Sequence, residues 1–403
     1  MQLVDFLGLL AVLLGHEVLW VSLTNRAHSF RFSLRILDTL EKLAALAVLA
    51  GPLAATIAVV LGLQGRFDPL DLLLSHPAFT VYAIVCVVVG SIVATKWTWQ
   101  RLTTRPPAQL EDAQTIRIDV AHELRPRPIG CWTTRLLDQI PANQMFELYE
   151  HHRTLWIETL PPGLDGLTIA HLSDLHLTGK ICQTYFAAVV ERTQQLQADL
   201  IVLTGDLVEN PACLDWLPTT FGTLRARLGC YFVLGNHDLH LAQHHDLRRH
   251  WTDLGWRDLG GQVHELFERG ERLLLAGNEW PWFAPRPDLS RTRESSTTGR
   301  QRPFRILLSH SPDQFPWARQ HQFDLMLAGH THGGQVRFPF LGPVVAPSTY
   351  GTRYASGTFY QRPTLMHVSR GVSALFPLRM NCPPELSLLT LRVPVADPVP
   401  KRS

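Results

Sequence analysis

The sequence predicts an α/β layered domain that follows a helical membrane region, and three observations support this fold class. Long apolar runs are concentrated in the first hundred of the 403 residues. From about residue 153 onward, short apolar strands alternate with amphipathic helices, which is typical of a sheet covered by helices. Polar side chains directly follow several of these strands, at the sheet edge where open α/β folds bind ligands.

Three segments near the N-terminus are long enough to cross a bilayer. They cover roughly residues 6–23, 43–63 and 79–97, and about 20 apolar residues are needed to span the hydrocarbon. A cleaved signal peptide is the competing interpretation of the first segment, but its start, MQLVD, lacks the basic residues of such a peptide. We therefore predict that residues 1–100 form an anchor of about three membrane helices.

Basic residues predict the orientation of this anchor, because loops rich in lysine and arginine stay in the cytoplasm. The loop between the second and third segments contains only Arg66. The first loop and the stretch after the third segment contain the other basic residues: Arg26, Arg31, Arg35, Lys42, Lys96, Arg101 and Arg105. This pattern places the N-terminus outside and the long C-terminal part in the cytoplasm. Six cysteines without a CxxC motif fit a reducing compartment.

A transport role is disfavoured, because the second and third segments contain few polar residues. The first segment contains His16 and Glu17, and ionisable residues inside a membrane are functional candidates. The alternative is that they pair with each other or with a neighbouring helix. The net charge of +2 gives no reason to expect a nucleic-acid polymer as partner.

The remaining chain is divided by its composition. Residues 101–152 are predicted to be a juxtamembrane connector, because RPPAQ and RPRP interrupt regular structure, with an amphipathic stretch at residues 134–140. Two apolar stretches around PPGLDG then predict a β-hairpin, and helices are predicted at residues 183–195 and 217–228. The folded domain is predicted to cover residues 153–395, and residues 396–403 to form a tail.

Five predicted strands end in side chains that bind metals. The fragments are SDLH, TGD, GNHD, SHSP and GHTHGG. Each is weak alone, since SHSP also fits a helix N-cap followed by a first-turn proline. Five such fragments in order are not expected by chance, so we predict one site at one sheet edge. The metal-binding types of side chain at these strand ends are Asp174, His176, Asp206, Asn236, His237, Asp238, His310, His330 and His332, with Glu209 just beyond Asp206.

The series SDLH, GDLVE, GNHD, SHSP and GHTHGG resembles the calcineurin-like metallophosphoesterase superfamily over about residues 167–391. The flanking sequence is similar to a bacterial branch of membrane- or envelope-associated phosphodiesterases. The resemblance implies a four-layer α/β sandwich, in which two mixed sheets are flanked by helices and carry a dinuclear metal centre.

The resemblance also implies a role for each candidate residue. One metal takes Asp174, His176 and His332, and Asp206 bridges to the second metal. The second metal is completed by Asn236, His310 and His330. His237 faces the substrate, and Asp238 orients the ring of His237.

The donor types agree with this assignment. Carboxylate and amide oxygens mixed with imidazoles suit Mn²⁺, with Fe or Zn²⁺ as alternatives. Two such ions about 3.5–4 Å apart clamp a phosphate and generate hydroxide near neutral pH. A histidine placed like His237 protonates the leaving oxygen, a step that contributes about 10²–10⁴-fold to the rate.

The sequence thus predicts a membrane-anchored phosphoesterase that hydrolyses a phosphodiester or pyrophosphate bond with metal-bound hydroxide. The expected partners are a phosphate-ester substrate and the lipids of a bacterial inner membrane. A lipid-linked ester such as UDP-2,3-diacylglucosamine is one candidate substrate, because superfamily members hydrolyse it. The alternative is a non-catalytic metal-binding scaffold at the membrane, which would not need His237.

Further stretches keep two interpretations each. A histidine group after GNHD predicts a solvated surface helix rather than a third metal site, with His240, His244, His245 and His250 as its members. Trp280, Trp282 and Phe283 either touch a substrate or pack in the core. The arginine-rich stretch 288–305 predicts a surface loop, and the apolar stretch 338–345 either contacts lipid or closes the domain.

Overall fold

The computed structural model describes residues 3–32, 34–64, 71, 74–103, 105–240, 244–290 and 302–394. The chain forms two compact units that divide near residue 105. The smaller unit is helical, and the larger unit contains the sheets.

The helical unit contains three long helices, α1 (Leu3–Ala27), α2 (Leu34–Leu63) and α3 (Pro77–Thr103). All three are long enough and apolar enough to cross a membrane, which confirms the three predicted segments. Small residues bring α1 and α3 together, because a Cβ atom on Gly15 would collide with the backbone of Cys86. Close backbone approach at small residues is typical of helix packing in membranes.

His16 contacts both other helices of this unit. Its Nδ1 lies 2.5 Å from the hydroxyl oxygen of Tyr82 on α3, and its Nε2 lies 2.9 Å from the carbonyl oxygen of Ala47 on α2. The indole N–H of Trp20 donates to the same hydroxyl at 3.3 Å. These contacts favour the interpretation that His16 pairs with neighbouring helices.

The larger unit is built on two mixed sheets, as the predicted fold class requires. The first sheet has seven strands in the order β1-β2-β15-β3-β4-β5-β6. Their ranges are Leu110–Asp119 (β1), Glu147–Trp156 (β2), Glu385–Arg392 (β15), Thr168–Leu172 (β3), Leu200–Thr204 (β4), Cys230–Val233 (β5) and Arg257–Asp258 (β6). Strands β3 to β6 run parallel, and β15 runs antiparallel to β3.

The second sheet has six strands in the order β13-β14-β10-β9-β8-β7. Their ranges are Gly357–Gln361 (β13), Thr364–Val368 (β14), Leu325–Ala328 (β10), Phe304–Ser309 (β9), Glu271–Asn278 (β8) and Val263–Glu268 (β7). A separate two-stranded ribbon pairs β11 (Arg337–Phe338) with β12 (Gly342–Pro343).

Alternating side chains of the strands build three apolar layers. Ile169 and Val202 lie in the core between the sheets, together with Leu275 and Ile306 of the second sheet. Their strand neighbours face outward and pack under helices on either side. These helices are α4 (Val120–Glu123), α5 (Trp132–Asp138), α6 (Gln183–Gln195), α7 (Trp216–Thr220), α8 (His244–Asp253) and α9 (Phe315–Gln320). The result is the four-layer sandwich that the resemblance implied.

The predicted connector differs from the structure, because residues 106–152 belong to the larger unit. Strand β1 is an edge strand that is exposed along most of its length, so it lacks the alternation that identifies a strand. Strand β2 alternates, but its buried positions include His151 and Arg153, which are polar. Polar strands of this kind resemble a connector in sequence.

The polar positions of β2 face a buried cluster between the sheets. Arg153 Nη1 donates to Glu385 at 2.7 Å, and its Nε donates to Asp112 at 2.8 Å. His171 and His367, one from each sheet, pack with ring centroids 5.4 Å apart. Burial lowers the pKa values of His151 and His171 to about 4. The cluster therefore holds neutral imidazoles around a buried ion pair.

The predicted hairpin around PPGLDG is wrong, because β15 lies between β2 and β3. It pairs with β2 in parallel and with β3 antiparallel. A strand from the far end of the chain thus separates two segments that are close in sequence.

The predicted helices had different outcomes. The helix at residues 183–195 is confirmed with its predicted bounds. The helix expected at residues 217–228 is Trp216–Thr220 instead, since it ends before Gly222 in a stretch of poor helix formers. Most of the predicted loop at 288–305 lies outside the described residues.

Candidate metal centre

The candidate ligands follow the carboxyl ends of β3, β4, β5, β9 and β10, so the two sheets deliver them to one edge of the sandwich. Five of these seven residues have left-handed backbone, which costs about 1–3 kcal/mol for each residue and is concentrated at functional sites. Their φ angles are 54° for Asp174, 42° for His176, 55° for Asp206, 71° for His330 and 49° for His332. The turns after the strands are therefore strained in order to aim these side chains inward.

The first ligand cluster combines residues from three strand ends. The ligand atoms of Asp174, His176, Asp206 and His332 lie within 4.8 Å of one another. The Nε2 atoms of His176 and His332 are 3.0 Å apart. Two imidazole lone pairs at this distance repel unless a cation or a proton lies between them, so the arrangement fits a metal ion.

The second ligand cluster shares Asp206 with the first. It contains Asp206, His310 and His330, and His310 Nε2 lies 3.2 Å from Asp206 Oδ2. The side-chain oxygen of Asn236 is 3.0 Å from the same nitrogen of His310. All seven sequence-predicted ligands are thus brought together in two groups, with Asp206 in the position expected of a bridge.

Polar partners fix the tautomers of two ligand histidines. Nδ1 of His310 donates to the carbonyl oxygen of Thr204 at 2.7 Å. Nδ1 of His176 lies 2.7 Å from Glu209 Oε1. Because each Nδ1 is engaged by a polar partner, Nε2 is the atom of each ring that faces the other candidate ligands, as metal ligands require.

Glycines leave room for these ligands. A Cβ atom on Gly329 would collide with the side chains of Ser173 and Asp174, and one on Gly205 would collide with the ring of His310. Any larger residue at these positions would displace a candidate ligand.

His237 lies at the rim of the centre, with 21% of its side chain exposed. Its backbone N–H donates to Asp206 Oδ1 at 2.9 Å, and its ring Nδ1 lies 2.9 Å from Glu209 Oε1. Burial opposes the charged ring, but the carboxylates of Asp206 and Glu209 outweigh it and raise the pKa of His237 to about 10.

The structure differs from the prediction for Asp238. Its carboxylate accepts backbone N–H groups of Leu207, Val208 and Gly235 at 2.8–3.2 Å. Asp238 thereby joins the turns after β4 and β5, while Glu209 occupies the position against Nδ1 of His237. Because both oxygens of Asp238 accept from backbone N–H groups, this carboxylate fixes the turns after β4 and β5 and does not orient the ring of His237.

The electrostatics of the centre depend on its buried carboxylates. Burial raises the pKa of Asp206, but the nearby His310 and His237 hold it well below its usual range. Asp206 in turn raises the pKa of His310 to about 9, against the effect of burial. Negative charge thus persists at the shared position, where it attracts cations.

Sequence reasoning gave no role to Glu209 or Arg379. Glu209 could have been identified from the sequence, since it lies three residues after Asp206 in the fragment GDLVE. Arg379 could not have been identified in this way, because it comes from a loop 47 residues after His332. Its buried guanidinium places Nη2 3.3 Å from His332 Nδ1, and burial lowers its pKa.

The structure also places the tryptophans and the histidine group that the sequence singled out. The ring of Trp282 is buried 5.1 Å from that of His330 and 5.5 Å from that of His310, which confirms core packing for this residue. Trp280 is partly exposed and stacks against Arg286. His244, His245 and His250 lie on helix α8, as the predicted surface helix requires, whereas His240 ends the separate 3-10 turn Asp238–His240.

The sequence of this chain is similar to those of known proteins. The family model for calcineurin-like phosphoesterases matches residues 167–334. An uncharacterized metallophosphoesterase of Bacillus subtilis, YkuE, is 31% identical over 255 residues, which are 62% of this chain and 86% of that protein. The phosphodiesterase YaeI of Escherichia coli is 28% identical over 61% of this chain and 88% of its own length.

A third relative is the UDP-2,3-diacylglucosamine pyrophosphatase LpxG of Chlamydia muridarum, which is 24% identical over 56% of this chain and 84% of that protein. The matched region of the family model contains all seven candidate ligands. The chain belongs to the calcineurin-like metallophosphoesterase family, and it is a metal-dependent phosphoric ester hydrolase.

Proposed function

We propose that the protein is a membrane-anchored hydrolase that uses two divalent ions to cleave a phosphodiester or pyrophosphate bond. The observation that carries this proposal is the pair of ligand clusters that share Asp206. Bound ions, with Mn²⁺ as our first choice, would supply charge stabilisation and an activated water. Asp174, His176 and His332 would hold one ion, and Asn236, His310 and His330 would hold the other.

His237 is proposed as the proton donor. Glu209 engages its Nδ1, so Nε2 is the atom that delivers a proton to the leaving oxygen. A protonated donor at the rim stabilises the leaving group as the phosphorus–oxygen bond breaks. A non-catalytic scaffold would not need this residue.

The proposed substrate class is an amphiphilic phosphate ester, with UDP-2,3-diacylglucosamine as the first compound to test. Three membrane-length helices support this choice, and so does the name of the LpxG relative. We further propose that the anchor lies in a bacterial inner membrane and that the larger unit faces the cytoplasm, on the basis of the arginine and lysine pattern.

The test is hydrolysis by the full-length protein in detergent. UDP-2,3-diacylglucosamine and bis-p-nitrophenyl phosphate are compared with and without Mn²⁺, beside the variants Asp206→Ala and His237→Ala. Release of UMP that depends on Mn²⁺ and is lost in both variants supports the proposal. If only the diester is cleaved, and the variants lose this activity, UDP-2,3-diacylglucosamine is excluded as the substrate. If neither compound is hydrolysed, the proposed function is overturned.

A further inference from the structure

An exposed apolar surface lies directly after the last two metal ligands. It consists of two neighbouring loops, one with the β11–β12 ribbon and one after β14. We call this surface the apolar rim and define it by its exposed side chains: Phe338, Phe340, Leu341, Val345, Leu375 and Phe376. Apolar groups this large and this close together mark interaction sites rather than ordinary surface.

Hydrogen bonds hold the two loops of the apolar rim together. The side-chain amide of Gln335 donates to the carbonyl oxygen of Phe376. The backbone N–H of Arg337 donates to Met380 at 2.9 Å, and that of Met380 donates to Gln335 at 3.1 Å. The rim is therefore a built surface that is fixed to the turn after His332.

Phe340 forms the tip of the rim, and its side chain is not stabilised by packing against the rest of the fold. Its side chain is 91% exposed, although its backbone has a φ of 63°. A bulky residue in left-handed conformation is strained, and this ring buries no apolar area in compensation. The exposed rings of Phe338 and Phe340 favour the interpretation that residues 338–345 contact lipid over the alternative that they only close the domain.

The apolar rim continues onto helix α5. Asn143 donates from its side chain both to the carbonyl oxygen of Leu137, at the end of α5, and to that of Pro377 beside the rim. The outer face of α5 exposes Trp132, at 75%, and Leu136, at 57%. Tryptophan on a short amphipathic helix is typical of surfaces that lie in a membrane interface.

The charge around the rim complements an anionic bilayer. Residues 325–384, which include both loops of the rim, contain no aspartate or glutamate. Arg337 lies in β11 itself, and Lys180 donates from its ammonium group to the carbonyl oxygen of Leu375. Basic groups beside an apolar patch favour anionic lipid headgroups.

The membrane proposed as the partner of the rim is the one that the chain's own helices would span. Helix α3 ends at Thr103 after Trp97 and Trp99, which are typical of the aromatic belt at a membrane surface. Strand β1 begins at Leu110, and seven residue steps span at most about 25 Å. The connection between the last membrane-length helix and the first strand of the larger unit is therefore short.

We propose that the apolar rim inserts into the interfacial layer of the membrane that anchors the chain. Because the rim follows the turn after His332 directly in the chain, its insertion would bring the candidate metal centre toward the phosphate groups of membrane amphiphiles. This proposal concerns lipid contact and does not depend on which ester is hydrolysed.

The experiment places the photoreactive residue benzoylphenylalanine at Phe340 in the full-length protein, reconstituted in nanodiscs of phosphatidylethanolamine and phosphatidylglycerol. The matched control is the same residue at Phe267, which is 67% exposed on β7. That position lies far from the ligands, because the neighbouring Arg269 donates to the carbonyl oxygen of Asp165 at the opposite, amino end of β3.

After irradiation, mass spectrometry counts the lipid adducts at each site. The proposal predicts several-fold more lipid adduct at position 340 than at position 267, and the same enrichment for a probe at Phe376. Equal yields at positions 340 and 267 would overturn it. Cross-links from position 340 to a second copy of the chain or to another protein, in place of lipid, would also overturn it and assign the rim to a protein interface.

Discussion

Glu209 joins the two histidines on either side of the candidate centre. Its Oε1 lies 2.7 Å from Nδ1 of His176 and 2.9 Å from Nδ1 of His237. Although burial opposes the charge, both histidines hold the pKa of Glu209 at about 2. One carboxylate thereby sets the tautomer of a proposed metal ligand and the charge of the proposed proton donor.

The variant Glu209→Gln should impair both histidines. The amide keeps the size of the side chain but removes its charge, so the Nε2 atom of His176 binds metal less well and the pKa of His237 falls. We expect a loss of about 10–100-fold in Mn²⁺ affinity or in kcat, measured by titrating activity with Mn²⁺. The control is Glu191→Gln on helix α6, an exposed glutamate away from the site. Unchanged kinetics in Glu209→Gln would contradict this role.

The variant Gly329→Ala should abolish metal binding while the fold persists, because its Cβ atom would collide with Ser173 and Asp174. The control is Gly270→Ala, where φ is 83° but nothing lies within 4 Å of the added atom. The control should lose stability through backbone strain and keep its activity. Metal content and circular dichroism of both variants decide this, and a Gly329→Ala protein with full metal content would contradict the prediction.

The buried histidines should make the larger unit sensitive to acid. Burial lowers the pKa of His151 from 6.5 to about 4, so the unfolded state binds more protons than the native state between these values. The contribution of neutral His151 to the free energy of unfolding is present above pH 6.5 and is lost as the pH falls toward 4. At about 1.4 kcal/mol for each pKa unit, it amounts to about 3 kcal/mol.

Urea unfolding of the full-length protein in detergent, followed from pH 7.5 to 4, measures this effect. The variant His151→Gln should flatten the decline, whereas the control His250→Gln, on the exposed face of α8, should leave it unchanged. Equal slopes in all three proteins would count against the buried cluster as the origin.

The proposed orientation of the anchor rests on the basic residues of its loops. A C-terminal green fluorescent protein fusion should fluoresce in bacterial cells, since this reporter matures only in the cytoplasm, and a C-terminal alkaline phosphatase fusion should be inactive. The opposite pair of results would reverse the proposed sidedness.

The sequence predicts best where a strand is buried on both faces. Strands such as β4 and β5 are continuous apolar runs, and the glycine and polar residues after them mark their ends, so both the strands and the ligands were identifiable. Strand β1 and most of strand β2 were not, because β1 is an exposed edge and β2 turns Arg153 toward a buried carboxylate of β15. Pairing with a strand more than 200 residues away leaves no local pattern.

The site was predictable as a set of residues but not as a network. Fragment motifs identify the side chains that can bind metal, while their partners depend on how loops from distant strands meet. Asp238 adjoins His237 in sequence, yet its carboxylate turns to the backbone of Leu207 and Gly235, and Glu209 reaches the ring instead. Side-chain direction in strained turns decides such contacts, and sequence spacing does not encode it.

The central claim is that Asp206 joins two metal ions in one centre. Its most direct test is the metal content of the purified full-length protein after equilibration with Mn²⁺ and removal of the unbound ion. Asp206→Asn is compared with Asp199→Asn, a carboxylate that pairs with Thr168 and Arg227 outside the site.

We predict two ions per chain in the wild type and in Asp199→Asn. In Asp206→Asn we predict at most one ion and a loss of activity of more than about 100-fold, since changes to outer partners alone cost 10–100-fold. A single ion in the wild type, or two ions and full activity in Asp206→Asn, would contradict the shared centre.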